Sequence, residues 1–247
     1  MMTHDWDAET YSNSATRVHE IAAENLDRLD LRGDETVLDA GCGSGEVTEA
    51  LLERVPDGRV LCVDASPAMV ARLRERLGDR VAAAWVQDLA ELEVPEPVDV
   101  VFSSATFHWI PDHQNLFNRL HAALKPGGQL VAQCGGVGNI ERWHAASHAV
   151  CNAEPFAAEL GGYDPWNYAT PAQTEERLER AGFRDGRAWL IEREMDTPDP
   201  DGFLRSTFFG AHLARLDPAL HDDFIAAVSS RASFPARYVR LNIEATA

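Results

Sequence analysis

Short apolar runs alternate with stretches of helical periodicity over residues 36–133. An apolar run that ends at glycine or acidic residues is typical of a buried strand, whereas apolar residues at every third or fourth position predict a helix. The predicted strands in this region are 36–40, 59–64, 81–87, 98–103 and 129–133, and the predicted helices are 44–54, 66–78 and 112–124. Alternation of this kind predicts a doubly wound α/β fold, with a parallel sheet covered by helices on both faces.

The boundaries of these elements carry their own signals. Ser66 followed by Pro67 is typical of an N-cap and a first helical position, and Asp112 is a second N-cap candidate. The segment Lys125-Pro126-Gly127-Gly128 ends the helix that Asp112 begins. Open parallel sheets bind ligands at the carboxyl ends of their strands. Residues that directly follow the predicted strands are therefore the candidates for ligand binding and catalysis.

The pattern changes after Gly138. Helices are predicted at 140–153, 170–181, 203–216 and 218–230, and strands at 187–193 and 237–244. We expect these last two strands to form an antiparallel pair at the edge of the sheet, joined by a helical insert. The fold is then a seven-stranded, mostly parallel sheet with a helical cap in the C-terminal half.

All of these elements fit one domain of residues 1–247. Residues 1–33, with a helix at about 8–29, form an N-terminal helical lid. Residues 34–137 form the core that carries the strand ends. The remainder divides into substrate-side helices and a cap at 138–236, with a strand near 187–193, and a final strand at 237–247.

The balance of charge narrows the class of partners. The chain carries 40 acidic and 22 basic residues, a formal net charge of −18. A field of this sign repels phosphate backbones and anionic membranes, which argues against nucleic acid and membrane as partners. The first residues lack the basic and apolar regions of a signal peptide, and the four cysteines form no C-x-x-C pair. We therefore expect a cytoplasmic protein with reduced thiols.

The strongest chemical signal is a glycine-rich turn after the first predicted strand, Val37-Leu38-Asp39-Ala40-Gly41-Cys42-Gly43-Ser44-Gly45. Glycine allows a left-handed backbone and lets a ligand approach the main chain closely. A dinucleotide-binding turn has a further glycine where this chain has Glu46. A carboxylate there suits a ligand with an ammonium group better than one with a pyrophosphate.

Two acidic residues at the ends of later strands extend this signal. Asp64 ends the second strand, where its carboxylate can accept hydrogen bonds from both ribose hydroxyls of a nucleoside. Asp88 follows the third strand, where it can accept a hydrogen bond from the exocyclic amine of adenine while Leu89 packs on the ring. The three signals together predict a ligand that contains a nucleoside.

These motifs, in this order and on these strands, resemble the class I S-adenosylmethionine-dependent methyltransferases over residues 35–133. The resemblance implies that S-adenosylmethionine is the cofactor and that residues 34–137 are the cofactor-binding core. It also implies that Asp39 holds the turn and reaches the methionine amine, and that Ser103 and Ser104 lie beside the sulfonium. The residues that it assigns to the cofactor are Asp39, Gly41, Gly43, Gly45, Asp64, Ala65, Ser66, Met69, Asp88, Leu89, Ser103 and Ser104.

A narrower resemblance lies in residues 102–112, FSSATFHWIPD, which are similar to the trans-aconitate methyltransferase group. It implies a small organic molecule as methyl acceptor, with an acid of the trans-aconitate kind as the leading candidate. Arg142 is expected to pair with a substrate carboxylate, and Tyr11 to close over the cofactor with the N-terminal helix. The residues assigned to the acceptor are Tyr11, Phe107, Trp109, Arg142, Trp143 and Trp166.

The sequence does not determine which kind of atom in the acceptor receives the methyl group. A carboxylate needs no general base, whereas a carbon or hydroxyl of a phenolic or isoprenoid metabolite needs one, and His108 is the candidate for that catalytic role. Two other classes are a nicotinamide-dependent oxidoreductase, against which Glu46 argues, and a non-catalytic binding module, against which the intact acidic and glycine residues argue. His144 and His148 stand one helical turn apart without a third ligand, so no metal is expected. We expect a monomer or a homodimer.

Overall fold

A computed structural model of the protein describes residues 24–247, in which seven strands form one sheet. The strands are β1 Thr36–Ala40, β2 Arg59–Asp64, β3 Ala83–Val86, β4 Val98–Ser104, β5 Leu124–Gly135, β6 Arg184–Met195 and β7 Ala236–Thr246. Their order is β3-β2-β1-β4-β5-β7-β6, and β7 runs antiparallel to both β5 and β6. The mostly parallel seven-stranded sheet and its antiparallel edge pair are therefore confirmed.

The helices connect the strands and build the cap. They are α1 Glu46–Arg54, α2 Pro67–Leu77, α3 His113–Ala123, α4 Glu141–Cys151, α5 Ala157–Leu160, α6 Pro171–Ala181, α7 Pro200–Phe203, α8 Gly210–Leu213 and α9 His221–Ser229. Short 3-10 turns lie at Gly78–Arg80, Leu89–Glu91, Phe107–Trp109 and Pro218–Leu220. No helix within residues 24–247 has the length and apolar character that crossing a bilayer requires.

Three predicted helix starts are confirmed by hydrogen bonds. The Oγ of Ser66 accepts the backbone N–H of Met69 at 3.2 Å, and the side chain of Asp112 caps α3 in the same way. Thr170 and Gln173 form a reciprocal capping box at the start of α6. Each cap satisfies an N–H group that the first helical turn leaves without an intrahelical partner, and so fixes where the helix begins.

The prediction of a single helix at 203–216 is wrong. A π-helical turn at Leu204–Phe208 separates α7 from α8, and the N–H of Phe209 closes it by donating to the carbonyl of Leu204 at 2.7 Å. Apolar periodicity does not distinguish a π-helical turn from an α-helix, because the same residues stay buried in both. The turn brings Thr207 to the cavity described below.

Two strands, β5 and β6, exceed their predicted lengths the most. The strand predicted at 129–133 begins at Leu124, which pairs with Val98 of β4 across an irregular register. The strand predicted at 187–193 spans the whole of β6, because its partner β7 pairs with it from one end to the other. In both cases a neighbouring strand extends the ladder beyond the apolar residues that mark the strand in the sequence.

The C-terminal helices lie over the carboxyl end of the sheet and share an apolar core of their own. The largest side chains in this core are aromatic: Trp143, Phe203, Phe208, Phe209 and Phe224 are all buried. Burying one such side chain contributes roughly 1.5–3 kcal/mol. The cap is therefore held firmly in place above the strand ends.

The lid predicted at 1–33 lies mostly outside the described residues. Of its described part, residues 24–26 are helical. The side-chain amide of Asn25 donates to the carbonyl of Ser103 at 3.0 Å, and Leu26 is buried. The end of the predicted N-terminal helix is thereby tied to β4, close to its carboxyl end.

Candidate active site

A cavity of about 420 Å³ lies at the carboxyl end of the sheet. Its floor is formed where β1 and β4 end, which is the point where the strand order reverses, and its roof is formed by the cap. Such a switch point is where ligands bind in open α/β sheets, because neighbouring connections leave the sheet on opposite faces there. The cavity is therefore the candidate active site.

The glycine turn after β1 contains three left-handed residues, with φ of 83° at Gly41, 53° at Gly43 and 90° at Gly45. A Cβ at Gly43 would meet nothing within 4 Å, and Gly43 lines the cavity. A Cβ at Gly41 would collide with the side chain of Thr106. Gly43 thus leaves room for a ligand, whereas Gly41, which also lines the cavity, leaves room for a neighbouring side chain.

Gly45 has a different position from the one that the sequence predicts. It does not line the cavity; a Cβ there would lie 3.0 Å from Leu73 and 3.1 Å from Leu77 of α2. Its lack of a side chain allows α1 and α2 to pack closely. The third glycine of the turn therefore serves helix packing in this structure.

Asp64 at the end of β2 faces the cavity and is held by the backbone. Its Oδ2 accepts the N–H of Gly43 and its Oδ1 accepts the N–H of Ser66, both at 2.9 Å. Burial raises the pKa of the carboxyl, while these N–H groups act in the opposite direction. A carboxylate oxygen accepts more than one hydrogen bond, so both oxygens can still bind the vicinal hydroxyls of a ribose.

Asp39 lies beneath the turn and does not line the cavity. Its side chain is buried, and its Oδ2 accepts the hydroxyl of Thr48 at 2.7 Å. Burial raises the pKa of this carboxyl to about 7, although the Thr48 hydroxyl lowers it and the charge of Asp64 raises it further. The carboxyl is therefore poised to change its charge near neutral pH.

Most of the other residues assigned to the cofactor reach the cavity. Those that line it are Ala65, Ser66, Met69, Asp88, Leu89 and Ser104. Asp88 also caps the 3-10 turn that follows it, because its Oδ1 accepts the N–H of Ala90 at 2.8 Å. Ser103 does not reach the cavity: its hydroxyl donates to the carbonyl of Ala40 at 2.6 Å and ties β4 to β1.

His108 lines the cavity and is buried. The backbone N–H of Gly135 donates to its Nδ1 at 3.2 Å. Burial lowers the pKa of the imidazole well below its usual value, and the charges of Arg240 and His113 lower it further. The ring is therefore neutral near pH 7 with its proton on Nε2, which makes it a hydrogen-bond donor.

Aromatic side chains form one wall of the cavity. The ring centroids of Trp109 and Trp166 are 6.2 Å apart, those of Trp166 and Tyr168 are 5.9 Å apart, and those of Tyr168 and His108 are also 5.9 Å apart. All four residues line the cavity. Trp109 and Trp166, which the sequence assigns to the acceptor, line this cavity together with Tyr168, which the sequence did not point to.

Two other residues assigned to the acceptor are not brought to the cavity. Arg142 is exposed on α4, whereas the next residue, Trp143, is buried. Trp143 packs in the cap core, with its ring centroid 5.2 Å from that of Phe234. Neither lines the cavity. The pairing of Arg142 with a substrate carboxylate therefore has no support in this geometry.

Phe107 lies beside the cavity in the core of the sheet, where its ring meets Phe117 edge-on at 6.1 Å. It is absent from the cavity lining, because its side chain points away from its neighbours His108 and Trp109. The position of Tyr11 falls outside the described residues.

Arg240, which was not predicted from the sequence, is the one Arg or Lys among the described residues that line the cavity. Its side chain is 2% exposed. Nε donates to Oε1 of Gln133 and Nη1 donates to the hydroxyl of Tyr238, both at 3.3 Å. Within residues 24–247 no Asp or Glu forms an ion pair with it. A signal was present: Tyr238, Arg240 and Asn242 are polar residues at every second position of the strand predicted at 237–244.

Comparisons with known proteins agree with this architecture. A family model described as a methyltransferase domain matches residues 37–128. The chain is 37% identical over 188 residues to a trans-aconitate 2-methyltransferase of Methylobacterium nodulans, and the aligned region covers 75% of this chain and 67% of that protein. It is 34% identical over 235 residues to a trans-aconitate 2-methyltransferase of Methylobacterium radiotolerans, and the aligned region covers 90% of this chain and 87% of that protein.

A solved structure shares the fold. It is the phosphoethanolamine N-methyltransferase 2 of Haemonchus contortus in complex with phosphomonomethylethanolamine and S-adenosylhomocysteine. The TM-score is 0.62 at 21% identity, over 92% of this chain and 52% of that one. The glycine turn, the carboxylate at the end of β2 and the similarity along almost the whole chain lead to one conclusion. The chain belongs to the S-adenosylmethionine-dependent methyltransferase family that includes these trans-aconitate 2-methyltransferases, and it is an enzyme that uses S-adenosylmethionine as its methyl donor.

Proposed function

We propose that the enzyme transfers a methyl group to a carboxylate oxygen of a small organic acid and so forms a methyl ester. The observation that carries this proposal is the guanidinium of Arg240, which faces the cavity without an acidic partner in the described part of the chain. A buried cation without a counter-ion is costly, and an anionic ligand removes that cost. The similarity to trans-aconitate 2-methyltransferases favours an acid of the trans-aconitate kind as the leading acceptor.

The cofactor side of the cavity suits S-adenosylmethionine. Gly43 offers open space beside its backbone, and Asp64 offers two carboxylate oxygens for the ribose hydroxyls. We assign Asp88 and Leu89 to the adenine and Ser104 to the neighbourhood of the reacting methyl group, since all three line the same cavity. Asp39 and Ser103 do not line the cavity. Asp39 holds the glycine turn from below, and Ser103 joins β1 to β4.

The chemistry that the cofactor supplies is an electrophilic methyl group: the acceptor oxygen bonds to the methyl carbon while the carbon–sulfur bond breaks, and its electron pair stays on sulfur. A carboxylate already carries the required electron pair, so the protein does not have to remove a proton. What the chain contributes is alignment of the acceptor and exclusion of water. The aromatic wall of Trp109, Trp166 and Tyr168 excludes water, and His108 can donate Nε2–H to an acceptor oxygen.

Methylation of a phenol or an isoprenoid carbon is the weaker alternative, because it needs a general base. His108 is badly placed to act as that base, since its Nδ1 already accepts the N–H of Gly135 and the positive charge of Arg240 opposes protonation of the ring. Taking up a proton on Nε2 would require the other tautomer and the loss of that contact. The geometry therefore favours an acceptor that needs no base.

The experiment is an assay of the full chain with isotopically labelled S-adenosylmethionine and a panel of carboxylic acids, phenols and isoprenoids, with products identified by mass spectrometry. We expect a methyl ester, which is hydrolysed by mild alkali with loss of the label as methanol. Transfer to a phenol or isoprenoid while every acid stays unmodified contradicts the proposal. Phenyl ethers and methylated carbons keep their label in alkali, so the two outcomes are readily separated.

A further inference from the structure

The backbone on both sides of Tyr168 is tied to the segments that follow β4 and β5. The N–H of Asn167 donates to the carbonyl of His108 at 2.8 Å, and the carbonyl of Ala169 accepts the N–H of Val137 at 3.0 Å. Tyr168 lies between these two contacts, in the connection from α5 to α6. Because the main chain is held on either side, the place from which the Tyr168 side chain enters the cavity is fixed.

The ring of Tyr168 is held as well. It stacks on the rings of His108 and Trp166, with interplanar angles of 24° and 11°. Gly135 makes room for it, since a Cβ there would lie 2.6 Å from Cε1 of Tyr168. The ring therefore lies directly against the end of β5. A side chain that is ordered before a ligand arrives loses little entropy when it forms a contact with that ligand.

Asn139 determines how the Tyr168 hydroxyl is used. Oδ1 of Asn139 accepts the backbone N–H of Val239 at 2.9 Å, so Nδ2 is the end of the amide that remains for Tyr168. A Cβ at Gly135 would meet both this Nδ2 and the Tyr168 ring, which places them side by side. Burial raises the pKa of Tyr168 well above its ordinary value, and the hydrogen bond with Asn139 acts in the opposite direction. The phenol oxygen therefore accepts from Asn139 and keeps its own proton at neutral pH.

The proton of this hydroxyl has no acceptor among residues 24–247. A phenol can accept one hydrogen bond and donate another at the same time, so the donor of Tyr168 is available to a ligand. Arg240 lines the same cavity, and its charge also lowers the pKa of Tyr168. An anion attracted by this guanidinium is a strong acceptor for a neighbouring O–H group.

We propose that the Tyr168 hydroxyl donates a hydrogen bond to a carboxylate of the acceptor, and that Asn139 is the positioning residue that keeps this donor turned toward the ligand. The inference rests on the proposed function and goes further, because it names a second neutral donor beside His108 and the residue that orients it. The hydrogen bond forms in the bound acid, before the methyl group moves. Its loss therefore weakens the binding of the acid more than it slows the chemical step.

The first test measures the binding of trans-aconitate to the full chain in complex with S-adenosylhomocysteine, by calorimetry. Tyr168→Phe keeps the stacked ring and removes only the hydroxyl. We expect the Kd of trans-aconitate to rise about 10- to 100-fold, the range for a hydrogen bond to a charged group. KM for this acid should rise with it, while kcat changes less than about threefold. The affinity for S-adenosylhomocysteine should stay at the wild-type value.

Asn139→Asp tests the orientation while the hydroxyl is still present. An aspartate can accept the N–H of Val239 but has no N–H to donate, so its other oxygen takes the proton of Tyr168. The affinity for trans-aconitate should fall at least as far as in Tyr168→Phe. The new charge also repels the acid, so a double variant is needed. If the hydroxyl is already diverted, adding Tyr168→Phe to Asn139→Asp should weaken binding less than about threefold further.

Asn118→Asp is the matched control for the added charge. Asn118 is exposed on α3, and its Oδ1 accepts a hydrogen bond from Gln114 that an aspartate can also accept. It does not line the cavity, so the affinity for trans-aconitate should equal that of the wild type. Circular dichroism shows whether each variant is folded.

The outcomes separate the inference from the function on which it rests. Wild-type affinity for trans-aconitate in a folded Tyr168→Phe or Asn139→Asp overturns the inference and leaves carboxylate methylation intact. An equal loss of affinity for S-adenosylhomocysteine in Tyr168→Phe also overturns it, because the hydroxyl would then serve the cofactor. Losses that add in the double variant overturn the positioning role of Asn139. If the wild type methylates another acid and not trans-aconitate, that acid takes its place in every arm. If no acid is methylated, the proposed function fails and the inference fails with it.

Discussion

The backbone N–H of Gly135 donates to Nδ1 of His108 at 3.2 Å, and this contact decides which ring nitrogen is available to a ligand. Since Nδ1 accepts, the proton of the neutral ring lies on Nε2. Burial lowers the pKa of the imidazole well below its usual value, with Arg240 as the next cause. We therefore propose that the ring acts as a hydrogen-bond donor to the acceptor, in contrast to the general base that the sequence suggests.

We expect His108→Asn to lower kcat/KM for a carboxylic acid by about tenfold, the loss of one hydrogen bond. The pH profile of kcat should keep its wild-type shape above pH about 6.5, because the neutral ring does not titrate there. His148→Asn, which changes an exposed residue of α4, should have no effect. A loss of more than a hundredfold, together with the disappearance of a pH-dependent limb, would instead identify His108 as a base.

Asp64→Ala should weaken the binding of S-adenosylmethionine and S-adenosylhomocysteine by about 10- to 100-fold, because charge-assisted hydrogen bonds to the ribose are lost. The variant also removes the acceptor of the Gly43 and Ser66 N–H groups. Asp64→Asn keeps one acceptor oxygen and should lose less. Isothermal calorimetry measures both, with exposed Asp79→Ala as the control. Unchanged affinity in Asp64→Ala contradicts our placement of the ribose.

Gly43→Val should abolish cofactor binding while the chain stays folded. A Cβ at this position enters open space in the cavity, so no neighbouring atom opposes it. The left-handed backbone costs roughly 1–2 kcal/mol for a residue with a Cβ. Circular dichroism and thermal melting report the fold, and calorimetry with S-adenosylhomocysteine reports binding. Wild-type affinity in this variant would mean that the turn has only a structural role.

Gly45 is the matched control for this effect, whereas Gly41 lines the cavity and is a second test of it. Gly41→Ala places a Cβ against the side chain of Thr106, and Gly45→Ala places one against Leu73. Both should lower the melting temperature, since the new atom disturbs packing inside the fold. Gly45→Ala should retain cofactor affinity, because Gly45 does not line the cavity.

Much of the fold, and the cavity-lining residues that directly follow a strand, could be predicted because their signals are local. Asp64 and the glycine turn each follow directly from the end of a strand, so the periodicity that predicts the strand also locates the residue. Arg240 could not be placed in this way. It comes to the cavity because β7 inserts antiparallel between β5 and β6, a pairing between segments far apart in the chain.

The sequence also does not determine which residues of the cap reach the cavity. Arg142 and Trp143 are neighbours on α4, and composition alone makes both attractive for an acceptor site. Which face of that helix meets the sheet depends on packing against the aromatic cap core, which turns Trp143 inward and leaves Arg142 in solvent. A rotation of the helix by one residue is invisible in a pattern of apolar positions this short.

Asp39 provides a prediction about stability and pH. Burial raises the pKa of its carboxyl to about 7 in the folded protein, whereas an aspartate of the unfolded chain titrates at about 3.9. Between these values the folded state binds more protons than the unfolded state. The contribution of Asp39 to the free energy of unfolding is therefore fully present below pH about 4 and is lost as pH rises through about 7.

Two variants isolate this contribution. Asp39→Asn carries no titrating group, so the decline in unfolding free energy between pH 5 and 8 should be smaller than in the wild type. Thr48→Val removes the hydroxyl that donates to Asp39 at 2.7 Å and lowers its pKa. The decline should then extend to higher pH, because the charged carboxylate has lost a stabilising donor. Urea unfolding at a series of pH values measures both, and identical profiles for Asp39→Asn and the wild type would show that Asp39 titrates alike in the folded and unfolded states.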